Sequence, residues 1–127
     1  MERLDELVEK KRYIREYYNK HLKCLEKRGV TLFPASKGSS CWFSGLVFSK
    51  EKRLEYSRTF CTKLKEKGIE ARLFWKPIHL QSPYGTSPVE SVQIAEDLWQ
   101  RIVTLPCSTG MTEDEMEIVK DIILDTV

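Results

Sequence analysis

Arg72, Lys76, His79, Gln81 and Tyr84 fall within one short run, EARLFWKPIHLQSPYG, residues 70–85. Together they offer cations, an imidazole, an amide and a phenol, groups that orient a polar ligand. Trp75 and Tyr84 set aromatic rings among them, and such a mixture suits a partly desolvated binding site. Pro77 and Pro83 stiffen the backbone, which lowers the entropy lost when a ligand binds. The run follows a strand-like segment, and binding residues gather on loops held at strand ends by a rigid scaffold. Loops of this length in compact domains are commonly functional. A purely structural reading stays open: a stiff connection, packed aromatics and a histidine hydrogen-bonded in place.

The chemistry is incomplete as it stands. His79 has no neighbouring serine or cysteine nucleophile with a carboxylate orienter behind it. No HExxH-type ligand spacing occurs, and no pair of acid/base carboxylates stands out among the many acidic residues. Cys24, Cys41, Cys61 and Cys107 lack the CxxC spacing of a zinc or redox site. They read as reduced, mostly buried thiols of a cytoplasmic protein, with paired disulfides in an exported protein as the lesser reading. Lys37-Gly38-Ser39-Ser40 is like the tail of a phosphate loop, but it lacks the first glycine and leads into a strand, so it reads as a plain loop. From its residues alone, the 70–85 segment is half of a binding site.

Composition limits the partners. A chain of 127 residues is one domain with enough surface to bury for a core that needs no metal or disulfide. The content of 41% hydrophobic and 31% charged residues is that of a globular protein. With 21 Lys+Arg against 19 Asp+Glu, the net charge of +2 argues against a small α/β nucleic-acid binder. The basic cluster Lys10, Lys11, Arg12 and Arg15 is interleaved with Glu6, Glu9 and Glu16 and reads as a solvated helix face. No signal peptide or membrane-spanning run is visible.

The elements that must carry the loop follow from periodicity. A long helix is predicted over 2–28, with Leu4, Leu7, Val8, Ile14, Tyr18, Leu22 and Leu25 on one stripe and Gly29 as its terminator. It has no N-terminal capping residue, as though already under way where the sequence starts. CWFSGLVF (41–48) reads as a buried strand in which Gly45 allows close backbone approach. A second helix spans 50–67, with Leu54, Cys61 and Leu64 inward and Gly68 at its end. A second strand covers 69–75. Ser87-Pro88-Val89-Glu90 combines a capping box with a first-turn proline and predicts a helix start. RIVTLP (101–106) is a third short strand. Thr112 to Glu115 is a further capping box, opening a helix that buries Met116, Val119, Ile122 and Ile123. The order is α-β-α-β-α-β-α, an α/β (α+β) two-layer sandwich of helices on a small sheet.

These residues also carry a resemblance. GIEARLFWKPIHLQSPY, followed by AEDLWQRIVTLPCSTGMTEDEMEIV, resembles the C-terminal part of the DegT/DnrJ/StrS sugar aminotransferases. The matching positions are Gly68-Ile69, Arg72, Pro77, His79, Gln81, Tyr84, Ala95-Glu96, Leu105-Pro106 and Met111-Thr112 with Glu115. ELVEKKRYIREYYNKHL is similar to the family's long helix leading into the small domain. The resemblance implies the small C-terminal domain of a fold type I enzyme, with residues 1–28 as an interdomain-type helix and 29–127 as the domain proper. It implies an activity that uses pyridoxal 5'-phosphate and moves an amino group from glutamate to a nucleotide-linked keto-sugar. It also implies that the 70–85 segment reaches the active site at the boundary with a large domain. His79, Lys76, Gln81 and Tyr84 are then substrate-contacting, and Arg72 is either a substrate contact or an ordinary strand residue. The cofactor lysine, its acidic partner and the phosphate cup belong to the family's large N-terminal domain. This chain alone is therefore expected to bind no cofactor and to be inactive, with that large domain as its missing partner. A stand-alone ligand-binding or regulatory module without catalysis is the other reading. Separated from the large domain, apolar surface on the first helix and the Trp75 loop is expected to drive self-association into a homo-oligomer.

Overall fold

The computed structural model describes residues 3–52, 54–86 and 88–127. The first helix, α1, spans Leu4–Leu22 and tightens into a 3₁₀ turn over Lys23–Arg28. Gly29 then takes the left-handed conformation (φ 71°), and its N–H caps the turn on Glu26 and Leu25 carbonyls. Ile14, Tyr18, Leu22 and Leu25 are buried, but Leu4 is 54% exposed and Leu7 is exposed too. The predicted stripe is thus longer than the core it serves. Arg3, at the N-cap, makes no capping bond.

Strand β1, Val30–Leu32, follows directly and was not expected from the sequence, since three residues are too few for alternation to register. β2 covers Ser44–Phe48. The expected strand over 41–48 is shorter because Cys41 turns the chain with a positive φ of 51°. α2 spans Leu54–Glu66, burying Ser57, Phe60 and Leu64, and Gly68 (φ 80°) follows it. β3 is only Arg72–Leu73, not 69–75, because Ile69 folds back to donate its N–H to the Leu64 carbonyl. Two 3₁₀ turns, Ile78–Leu80 and Ser82–Tyr84, lead towards α3, Gln93–Leu98.

Of the expected helix start at Ser87-Pro88-Val89-Glu90, Ser87 lies outside the described residues, and 88–92 are not helical. Val89 and Ile94 are exposed, so the early turns lack the tertiary packing that sustains short helices. β4 covers Ile102–Leu105 and α4 covers Glu113–Thr126. The α4 box forms as read: Thr112 Oγ1 accepts from Glu115 N at 3.2 Å, and Glu115 Oε2 accepts from Thr112 N at 2.9 Å.

The order is therefore α-β-β-α-β-α-β-α. The sheet runs β1-β2-β4-β3 with each neighbouring pair antiparallel. Leu32, Leu46, Val103 and Leu73 form one row across it, and α1, α2 and α4 pack on that face to enclose the core. The helices-on-sheet sandwich stands, with one more strand than the periodicity revealed.

Two sequence expectations need correction. Lys10 and Arg12 are exposed, as a solvated face requires, but Lys11 and Arg15 are half-buried and the face is not free of contacts. Lys11, Arg12 and Arg15 all reach other parts of the chain. They donate to the carbonyls of Cys107, Ser39 and Phe33, pinning α1 to the connecting loops, while Lys10 pairs with Glu6 at 3.2 Å. Long basic side chains here satisfy turn carbonyls that no strand or helix partner reaches. The cysteines are free, but none is fully buried: Cys24 is exposed and the others are half-buried, flanking the core instead of filling it. Among the described residues no helix is long and apolar enough to cross a membrane, and no His/Cys/Asp/Glu group could hold a metal.

Candidate functional site

Pro77, extended at φ −50° and ψ 140°, leads into the first 3₁₀ turn, which is closed by Leu80 N–H to the Pro77 carbonyl at 3.0 Å. Gln81 returns to extended geometry, and Pro83 opens the second turn. The Gln81 amide donates from Nε2 to the Lys76 carbonyl at 2.9 Å, bracing the loop across its base. Two successive prolines and one side-chain brace thus set the loop's shape.

His79 is the best-held residue in it. Its Nε2 lies 2.8 Å from Glu96 Oε1, with the histidine side chain 13% exposed and the glutamate 42% exposed. It does not belong to the hydrophobic core. Lys76 and Tyr84 are exposed, and Lys76 has no ion-pair partner among the described residues. The loop therefore carries three of the five predicted groups at or near its surface, with His79 set deeper.

Arg72 stands apart. It pairs with Glu70 on the short edge strand β3, and its carbonyl accepts from Thr104 Oγ1 at 3.1 Å. It lines a groove of about 530 Å³ under α4, together with Ile69, Leu105, Met111 and Ile118. His79, Lys76, Gln81 and Tyr84 do not line that groove.

The loop adjoins an aromatic shelf. Trp75 stacks on Trp42 with centroids 5.5 Å apart and planes 11° from parallel, and the two are 55% and 62% exposed. Phe43 and Phe74 meet Trp75 edge-on, and Phe33 packs on both of those phenylalanines. These rings come from the ends of β1, β2 and β3, so the sheet itself assembles them. Trp42 and Glu96 are the two site residues that the sequence did not tie to the loop. Glu96 stands in the Ala95-Glu96 pair already singled out. Trp42 offered only its aromatic type.

The comparisons with known proteins bear on this arrangement. The sequence matches the DegT/DnrJ/EryC1/StrS aminotransferase family over residues 1–124. It is 34% identical over 130 residues to EpsN of Bacillus subtilis (strain 168), named as a pyridoxal phosphate-dependent aminotransferase, covering 98% of this chain and 32% of EpsN. PseC of Helicobacter pylori, an aminotransferase involved in the biosynthesis of pseudoaminic acid, shares the fold with a TM-score of 0.80 at 17% identity, over 98% of this chain and 34% of PseC. DesI, solved in the presence of its TDP-sugar product, matches with a TM-score of 0.78 at 21% identity, over 96% of this chain and 31% of DesI. The chain spans about a third of the length of the relatives it matches. With one family's pattern running through nearly all of its sequence, the chain belongs to the DegT/DnrJ/EryC1/StrS aminotransferase family.

Proposed function

We propose that this chain is the small domain of an aminotransferase that uses pyridoxal phosphate to move an amino group from glutamate to a nucleotide-linked keto-sugar, and that residues 75–84 are its substrate-contacting lip. One observation carries the reading: the loop is braced and shaped, yet it lies outside the core with Lys76, Tyr84 and Trp75 open. A loop that served only to connect would have no use for such shaping. His79 is the principal contact, and Lys76 supplies a positive charge for a diphosphate or carboxylate. Gln81 and Tyr84 add neutral hydrogen bonds. In this reading residues 1–28 connect to the large domain, which explains the exposed apolar residues on the first turns of α1.

The cofactor is assigned to the part of the relatives that this chain does not span. A Schiff-base site asks for a desolvated lysine with a carboxylate partner for the pyridinium nitrogen and a phosphate cup. The described lysines are all exposed or half-buried, so the residues present do not fit that group. Sugar chemistry is the preferred substrate class because PseC acts in pseudoaminic acid biosynthesis and DesI was solved with a TDP-sugar.

Two titrations test the proposal on the 127-residue chain. Pyridoxal phosphate should give no stoichiometric aldimine absorbance, and a saturating band would refute the division of labour. Thymidine diphosphate at millimolar concentration should shift the amide resonances of residues 75–84. Shifts confined to some other surface would refute the lip.

A further inference from the structure

We propose that Glu96 is a positioning residue for His79: its carboxylate holds Nε2–H and so fixes Nδ1 as the atom the ring offers to a ligand. A carboxylate is an acceptor, so the 2.8 Å contact places the proton on Nε2. Nδ1 has no hydrogen-bond partner among the described residues and is not one of the buried unpaired atoms, so it is not sealed from solvent although the side chain is only 13% exposed. Neutral His79 then presents a lone pair at Nδ1, fit for a hydroxyl proton. The imidazolium presents Nδ1–H, fit for a phosphate or carboxylate oxygen. The ring plane and the outward atom are the same in both states.

What makes Glu96 suitable is the anchoring of α3. Buried Arg101 donates from Nη1 to the Phe48 carbonyl of β2 at 2.6 Å and pairs with Asp97. Ser57 Oγ of α2 donates to the Gln100 carbonyl at 2.9 Å, and Gln100 Nε2 donates to the Glu96 carbonyl at 2.8 Å. Glu96 is thus fastened to the sheet and to α2 through its immediate neighbours. By contrast, the hydrogen bonds described within residues 76–84 close the loop on itself. The His79–Glu96 bond passes the rigidity of the scaffold to the loop, as a carboxylate behind a functional histidine does when it sets ring orientation.

The role of Nδ1 rests on the lip reading above, but the positioning can be tested without any ligand. His21 and His79 are the two histidines, so an ¹⁵N-labelled chain gives two imidazole spin systems, told apart by His21→Gln. His79 should show a proton on Nε2. Its exchange with water should speed up about tenfold or more in Glu96→Ala and return most of the way in Glu96→Gln, which keeps a carbonyl acceptor. His79 found protonated at Nδ1 when neutral, or exchange unchanged in Glu96→Ala, overturns the proposal. The protonation site in the wild type decides between these outcomes even if Glu96→Ala fails to fold. A wild type that keeps the Nε2–H bond yet does not respond to thymidine diphosphate would refute the lip and leave the positioning intact.

Discussion

Cys61 and Tyr18 are the two groups whose ionisation burial opposes most. Burial pushes the Cys61 thiol from 9.0 up to about 11 and raises the Tyr18 phenol as well. For an acid with a raised folded-state value, stability is fully present below the unfolded value and is lost as pH climbs through the folded one. The urea midpoint should therefore fall between pH 9 and 11, and fall less in Cys61→Ala. An identical decline in both proteins would remove Cys61 as a cause. At neutral pH an aromatic disulfide reagent should modify exposed Cys24 well before Cys61. Free thiols were legible from their wide spacing, but their partial burial was not, because it depends on how α2 meets its neighbours. The same limit applies to the site. His79 stood out by type and context, whereas its partner Glu96 lies 17 positions away and could be paired with it only by the fold.

Helix ends were the most readable features, because Gly29, Gly68 and the Thr112–Glu115 box act through local geometry. Features set by packing between elements were not, as the missed β1 and the late start of α3 show. Gly45 lies between these cases. Its place in a strand suggested close backbone approach, and an added Cβ would sit 3.0 Å from the Val103 carbonyl oxygen on β4. That oxygen belongs to the sheet backbone and cannot swing aside. Gly45→Ala gains about 0.5–1 kcal/mol in strand propensity but meets overpacking of about 1–3 kcal/mol, so net destabilisation is expected. Gly85 provides the contrast: φ is −62°, and an added Cβ meets its nearest neighbour at 3.8 Å. Gly85→Ala should leave the urea midpoint unchanged or slightly higher. Equal effects at the two positions would show that backbone entropy, and not the strand contact, sets the cost.

Among the described residues, one group of exposed apolar side chains belongs to the shelf and the loop that follows it: Trp42, Trp75, Ile78, Leu80 and Tyr84. Leu4, Leu7, Tyr13, Val89, Ile94 and Ile118 are exposed as well. Trp75 was expected there from the sequence. Its stacking on Trp42 was not, since 33 positions and a strand pairing separate the two residues. Exposed apolar groups clustered in this way mark an interaction surface, which the proposed large domain would cover. In this chain by itself, a second copy is the available cover. A tryptophan can bury about 150–250 Å², and with Trp42 62% and Trp75 55% exposed the pair has roughly 175–290 Å² left to bury. That is about a quarter to a third of the roughly 800 Å² per partner in a stable interface. Association should consequently be weak and concentration-dependent, not a permanent dimer. Light scattering should show the mean mass climbing as concentration rises, with Trp42→Ser/Trp75→Ser holding it near the monomer value. Salt should change little, because the loss of apolar area from water drives the contact and net charge is only +2. A strict monomer at high concentration, or association that survives the double substitution, would mean that the stacked pair does not drive contact between copies.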